Sequence, residues 1–560
     1  MVGESIAVLW HEALAKGADR TAYHVRDGSD YRKLTYREAW DKVYDTASAV
    51  ASLGLQPGDR LGIIGDTGLE WAMVDWACQT LGIVTVPVFP SLPADQATQI
   101  LQDAAASAVV VQDAAQGAKV AGLGVPVVTF AELSVRSGEL DRARWEKSVT
   151  EPAQAELATI IYTSGTTGEP KGAMLGHQGF LDLCRVIPKT LPLGPDDVFL
   201  SWLPVAHVFE RFAGHVLPIS LGASIGYAGS VATIASDMSK VQPTIMLVVP
   251  RFLDSMRAKI LDGVRNAPPL RQRLFALAHS QGLARLEGRF APLHPVTDSL
   301  VGGTLRKRTG GKLRYFVSGG SALPPDLCSF FGAFGITVLQ GYGLTETTAA
   351  SCLNDPAENR PDTVGKPFSC LELRIAEDGE ILIHGSVVMK GYWQKPEATA
   401  EAIDPEGWFR TGDLGEFVDG RVRITDRKKD IQVLANGKNV APQRVENLLR
   451  SEAEITEAVV FGDGRNHCVA LIVPDYAYLR ASLSLAGVSD AEIVAEERTG
   501  QAVRQAVDRA NKALADFERV RQFRLLDEPF SHEKGELTPS MKVRRKVVRD
   551  AYSSQLAEMD

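Results

Sequence analysis

Short apolar runs alternate with helix-length amphipathic stretches through the first two thirds of this chain, and few folds accommodate that rhythm. The runs at 60–64, 83–89, 108–111, 158–162, 198–202, 245–249, 313–318 and 337–342 have strand length and are rich in Val, Ile, Leu and Phe. Between the early ones, 35–53, 69–81 and 94–105 carry apolar residues at helical spacing. The first of these opens with a capping box, Thr35 to Glu38, followed by Trp40, Val43, Ala47 and Val50. Alternation of this kind predicts an α/β fold with parallel sheets layered by helices. Such sheets bind ligands beyond the carboxyl ends of their strands, so chemistry is expected in the loops that follow the runs.

At 560 residues the chain exceeds one hydrophobic core. From about Cys352 the texture changes to short β-like runs with glycine turns, at 380–384 and 421–424, which predicts a small β-barrel-like subdomain over 352–425. The charged pentapeptide Asp426-Arg-Lys-Lys-Asp430 marks a boundary. The expected organisation is an N-terminal domain over 1–426, a hinge at 427–430 and a small α+β domain over 431–560. A formal charge of −9 leaves no footprint for wholesale nucleic-acid binding. Six scattered cysteines without a C-x-x-C pair fit buried thiols in a reducing compartment. Glu4, His11, Glu12 and Lys16 interrupt the start, unlike a secretory signal. The uncharged stretch 213–236 holds four glycines and Pro218, so it suits a buried core better than a membrane span. A cytoplasmic location is expected.

One segment departs from the overall charge. Over 257–314, twelve lysines and arginines stand against Asp262, Glu287 and Asp298, a net +9. Two explanations stay open: solvated basic helices, or a surface that attracts anionic lipid or cofactor phosphates.

The segment Tyr162-Thr-Ser-Gly-Thr-Thr-Gly-Glu-Pro-Lys-Gly172 gathers hydroxyls, glycines and Lys171 after a predicted strand. Glycines let backbone N–H groups converge on phosphate oxygens, hydroxyls add donors, and the lysine adds a charge. It is not a Walker A loop: Pro170 and Gly172 occupy the places of the second glycine and the final Ser/Thr. Gln340-Gly-Tyr-Gly-Leu-Thr-Glu346 again lies at a strand end; its aromatic turn suits a purine, Thr345 a phosphate and Glu346 Mg²⁺. In Thr411-Gly-Asp413, a carboxylate beside a turn suits ribose hydroxyls, or forms an ordinary Asx-turn.

Together and in this order, these segments resemble the adenylate-forming superfamily of acyl-CoA synthetases, peptide-synthetase adenylation domains and luciferases, over nearly the whole chain. Within it, Leu203-Pro-Val-Ala-His-Val-Phe-Glu-Arg211, Val388-Met-Lys-Gly-Tyr-Trp393, Pro396-Glu-Ala-Thr-Ala400 and Gly437-Lys-Asn-Val-Ala-Pro442 are similar to the long-chain fatty acyl-CoA synthetase branch. The resemblance implies ATP, Mg²⁺ and CoA as cofactors. It places Thr163 and Glu346 on Mg²⁺, and Ser164, Gly165, Thr166, Thr167, Gly168 and Lys171 on the β- and γ-phosphates. Gly319, Gly320, Ser321, Gly341 and Tyr342 would line adenine and the acyl carbonyl, and Asp413 and Arg427 the ribose. His207 would stand at the carboxylate entrance, although a core histidine has the same appearance in sequence.

Lys429 would match the hinge of a mobile C-terminal domain, and Gly437 would face the pantetheine arm. Leu537-Thr-Pro-Ser-Met-Lys-Val-Arg-Arg545 matches the family's lysine loop, making Lys542 the catalytic lysine, with Met541 and Gly176 where many relatives have Gly and Ser/Thr. The implied function is a fatty acid–CoA ligase. A ligase that loads a carrier protein and an inactive acyl- or nucleotide-binding module are the alternatives. The implied partners are a fatty acid, transient contact with an anionic membrane, and a second copy in a homodimer. The small residues Gly214, Gly222, Ala223 and Gly226 are expected to leave room for an alkyl chain.

Overall fold

Strand-length apolar runs become parallel sheets here because helices cover both of their faces. The computed structural model describes residues 4–151, 153–164, 170–485, 487–531, 533–538 and 543–559. The expected capping box is present: Thr35 accepts from the Glu38 backbone at the start of helix Tyr36–Ala51. Helix Leu69–Leu81 ends on Gly82 in the left-handed conformation, at φ 70°, and strand Val84–Val88 follows.

The chain divides into two compact units: Met1–Arg374 with Leu382–Arg410 and Asp419–Val422, and Ile375–Ile381 with Thr411–Val418 and Arg423–Asp560. The first unit contains two large sheets. One has six strands in the order 127–129, 108–111, 60–64, 84–88, 157–164, 170–176, all parallel except the last, which pairs antiparallel. The other has nine, in the order 366–367, 352–353, 337–342, 315–318, 245–248, 198–201, 224–227, 21–27, 30–35. Its central strands are parallel, and the two short strands after Cys352 extend it antiparallel at one edge. Phe316, Phe331, Phe334 and Val338 centre one core, and Ile64, Val86, Leu101 and Val109 another.

The second unit is built around strands Ile455–Phe461, Cys468–Pro474 and Val520–Leu525. Period-two alternation puts Val460, Ala470 and Ile472 against helices Pro442–Arg450 and Glu497–Asn511, while Val459, Phe461, Leu471 and Val473 meet Val548 and Leu556 of the last two helices. The sheet is thus buried on both faces. Among the described residues no helix is long and apolar enough to cross a membrane.

Candidate functional site

In the nine-stranded sheet, strand Val198–Ser201 has Ser224–Tyr227 on one side and Ile245–Val248 on the other. Chain order reverses at that strand, which opens a crevice at the carboxyl ends. The loops leaving these ends carry His207, Gly319–Ser321 and Gly341–Glu346, so the sheet gathers on one edge residues that lie far apart in sequence. Thr67, from a loop of the six-stranded sheet, braces the same edge: its hydroxyl donates to Leu203 O at 2.6 Å and accepts from Val205 N at 2.9 Å.

The segment containing Lys171 is a hairpin. Strands Leu157–Ser164 and Pro170–Gly176 pair antiparallel, with Thr163 opposite Lys171 and Ser164 opposite Pro170. Its tip, including Gly165, Thr166, Thr167 and Gly168, lies outside the described residues. A Cβ at Gly172 would meet the Tyr162 ring at 2.9 Å, so glycine keeps the two strands close. Ala173 and Tyr392 form a β-bridge, and Trp393 N donates to Gly172 O at 2.7 Å. This docking brings the Lys171 ammonium over the Tyr392 ring, 5.2 Å from its centroid, while the Tyr392 hydroxyl donates to Glu346 at 2.9 Å. Burial and then the Glu346 charge push the phenol's pKa up, so it stays a donor. Cation, phenol and carboxylate are thereby held together. Tyr392 stood in a recognised sequence run, yet nothing in that run showed which carboxylate it would meet.

Two glycine turns shape the edge. Gly320 has φ 82°, and a Cβ at Gly319 would meet the Phe209 ring at 3.0 Å. The turn after Gly341 and Tyr342 is tighter. A Cβ at Gly343 would meet Ala349 O at 2.1 Å, and Thr348 and Ala349 have φ 53° and 79°. Non-glycine residues rarely adopt that backbone, which persists only where the surroundings enforce it. Here Ser351 N donates to Tyr342 O at 2.7 Å, and the Thr348 hydroxyl to Val387 O at 2.7 Å. These restraints present Thr345 and Glu346 on a single 3₁₀ turn.

His207 is half-buried and caps the helical turn Val208–Glu210, its Nδ1 accepting from Phe209 N at 3.2 Å. The residues just beyond it are interior. Arg211 and Asp75 are both fully buried, paired at 2.6 Å, with His215 Nε2 3.3 Å from the same carboxylate. Burial raises the Asp75 pKa, but Arg211 and His215 outweigh it and hold the value at about 2. Glu210, also fully buried, accepts from Ser201 Oγ and is pushed by burial up to about 8. Arg211 thus belongs to an internal ion pair.

The small residues expected to admit an alkyl chain are occupied. A Cβ at Gly214 would meet Glu210 Oε1 at 2.2 Å and one at Gly226 would meet Val241 at 2.8 Å. Gly222 is a helix C-cap at φ 73°, and Ala223 is fully buried. At Gly214 and Gly226 the small size serves close packing, and this corrects the expectation there.

In the second unit, Asp413 is buried and paired with Arg427 at 2.8 Å. Gly412, at φ 70°, donates to Glu380 at 2.9 Å, and Lys428 bridges Asp378 and Glu380 at 2.6 and 3.0 Å. Lys429 follows and is exposed. Gly437 turns the hairpin between Gln432–Val433 and Asn439–Val440 at φ 77°. Lys542 lies outside the described residues, but the base of its loop is closed by the bridge Leu537–Val543 and by Arg544 N to Glu536 O at 2.7 Å. Arg545, three residues on, is anchored to Glu446 at 2.5 Å and Val460 O at 2.8 Å.

The AMP-binding enzyme family matches residues 10–393, and the AMP-binding enzyme C-terminal domain matches 429–559. A long-chain-fatty-acid–CoA ligase of Mycobacterium tuberculosis is 34% identical over 95% of both chains. Human long-chain-fatty-acid–CoA ligase 1 is 30% identical over 94% of this chain and 82% of its own. In fold, the chain is similar to an anthranilate CoA ligase bound to anthranoyl-AMP (TM-score 0.75, 20% identity, 98% of both chains) and to ATP-bound MatB of Rhodopseudomonas palustris (TM-score 0.74, 23% identity, 98% and 99%). The matches of both family models, which together cover nearly the whole chain, show that it belongs to the AMP-binding, adenylate-forming enzyme family.

Proposed function

We propose that this chain is a long-chain fatty acid–CoA ligase that forms AMP. The observation that carries this reading is the set Lys171, Tyr392 and Glu346, a cation and a carboxylate fixed beside a phosphate-type hairpin. The names of its relatives support the acyl class. A carboxylate is a poor electrophile at neutral pH. Its oxygen attacks the α-phosphorus of ATP, pyrophosphate leaves, and the acyl-adenylate carries AMP as a good leaving group. The CoA thiolate then attacks the acyl carbon and AMP departs.

Lys171 and the hairpin hold the β- and γ-phosphates, and Lys542 neutralises charge at the α-phosphate. Glu346 and Thr163 are oxygen donors of the kind Mg²⁺ takes and would hold it beside the phosphates. When bound, it offsets phosphate charge. Gly319–Ser321 and Tyr342 line the nucleotide and acyl carbonyl, and Asp413 with Arg427 holds the ribose. His207 stands at the carboxylate entrance. Residues 431–560 turn about 427–430, withdrawing Lys542 and presenting the face near Gly437 to pantetheine.

The cytoplasm, peripheral contact with an anionic membrane and self-association as a dimer belong to the same proposal. Thioester formation from palmitate and ATP, with CoA or a pantetheinylated carrier protein as acceptor, tests it. CoA is expected to be the acceptor, and exclusive use of the carrier would replace this reading with that of a carrier-loading ligase.

A further inference from the structure

The turn that carries His207 is fastened to a sheet other than its own. Strand Arg60–Ile64 of the six-stranded sheet runs into the short loop 65–68 and then into helix Leu69–Leu81, which holds the fully buried Trp71 and Trp76. The loop itself is fixed at its start. A Cβ at Gly65 would meet the Phe130 ring at 2.9 Å, and Asp66 N donates to Gln112 Oε1 at 2.7 Å. Thr67 therefore stands on a rigid mount. Its hydroxyl spends both of its bonds on one backbone segment of the nine-stranded sheet's edge, donating to Leu203 O and accepting from Val205 N. Leu203 and Val205 are buried, so loss of the hydroxyl strips a buried carbonyl and a buried N–H of this partner.

The same helix grips the far side of the turn. Asp75 lies on it and pairs with the fully buried Arg211, whose backbone N donates to His207 O at 3.0 Å. On the near side, His207 N donates to Pro204 O at 2.9 Å, between the two residues that Thr67 holds. His207 is thus suspended between two attachments to one element. Its ring is oriented too. Nδ1 accepts from Phe209 N, so in the neutral imidazole the proton sits on Nε2, and that nitrogen is the donor. A donor aimed at a reacting group loses its value within about 1 Å of misplacement, and here the backbone anchors set that distance.

We propose that Thr67 is a positioning residue for His207: its hydroxyl fixes the 203–205 backbone so that the imidazole Nε2–H meets the carboxylate of the incoming acid. Threonine suits this task because one hydroxyl serves as donor and acceptor together, which a valine of the same shape does not. The inference deepens the ligase function proposed above and rests on the place given there to His207.

Pyrophosphate release with palmitate tests it in the natural chain and in Thr67→Val, Thr67→Ser, His207→Ala and the double variant T67V/H207A, well below the melting temperature of each. Thr67→Val is expected to lower kcat/KM for palmitate by about tenfold with the KM for ATP unchanged, and Thr67→Ser to stay within about twofold of the natural chain. In the His207→Ala background, Thr67→Val is expected to cost no more than about a further twofold, because a residue that acts through His207 then has nothing left to position. Thr67→Ala removes the same hydroxyl without added bulk and supplies the comparison if the valine variant misfolds. Natural kinetics in Thr67→Val, a serine variant as impaired as the valine one, losses that multiply in the double variant, or a parallel rise in the KM for ATP would each overturn the inference while leaving the ligase reading intact. Indifference of the natural activity to His207→Ala would remove His207 from the entrance and overturn the inference with it. Absence of pyrophosphate release by the natural chain would refute the ligase reading and the inference together.

Discussion

Tyr392 joins two segments far apart in sequence, since its ring faces Lys171 and its hydroxyl serves Glu346. Tyr392→Phe keeps the ring and removes the donor, so adenylate formation is expected to fall by about tenfold in kcat/KM. Glu346→Gln should cost about a hundredfold or more, with a weakened response to Mg²⁺, as measured by pyrophosphate release. Equal, small losses in both would detach this carboxylate from the phosphates. Glu210 gives a prediction of a different kind. Its folded pKa, about 8, lies above the ordinary 4.5, so its protonated form contributes stability at low pH that is lost as pH rises through the folded value. Glu210→Gln should therefore gain in stability relative to the natural chain as pH rises from 4.5 to about 8, by on the order of 1 kcal/mol per pH unit, and level off above that. A pH-independent difference would contradict this. The sequence made Lys171, Glu346 and Asp413 legible as candidates, because phosphates and ribose call for such side chains. It did not show Tyr392's partner or the buried Asp75–Arg211 pair, because those contacts arise only from tertiary packing.

Among the elements, the turn from Gly341 to Ser351 holds the most constrained backbone near the edge. Gly343→Ala would drive a Cβ into the Ala349 carbonyl and displace Thr345 and Glu346, so activity should fall by about a hundredfold with a smaller change in melting temperature. Ala349→Gly relieves a φ of 79° and should leave stability equal or raise it by about 1 kcal/mol. Thermal unfolding with pyrophosphate assays on both variants checks the pair, and indifference to Gly343→Ala would show that the turn does not position Glu346. For the second unit, Lys542→Ala should lower adenylate formation by about a thousandfold yet spare thioester formation from supplied acyl-adenylate. Lys429→Pro should do the reverse, because a stiffened hinge blocks the second step. Equal loss in both half-reactions would remove these assignments. Helices and strands such as Tyr36–Ala51, Thr337–Tyr342 and Pro442–Arg450 were legible from spacing and caps. The π-helical turn Arg211–Val216 was not, since it answers to a buried ion pair and not to a local pattern.

At the scale of the whole molecule, alternation along the chain revealed the layered α/β class, and the charge asymmetry revealed the basic segment. Which strands neighbour one another was not legible, because the reversal at Val198–Ser201 depends on non-local pairing. Nor was the path of the acyl chain, since small residues signal space and close packing equally. As proposed, the strand-end edge activates a fatty acid by adenylation. Palmitate labelled with ¹⁸O in both carboxylate oxygens tests it most directly, with AMP and acyl-CoA analysed by mass spectrometry after turnover with ATP and CoA. Attack by the carboxylate on the α-phosphorus, followed by cleavage of the acyl–oxygen bond, places one labelled oxygen in each AMP and leaves pyrophosphate unlabelled. Unlabelled AMP, or ADP with labelled phosphate, would contradict the account.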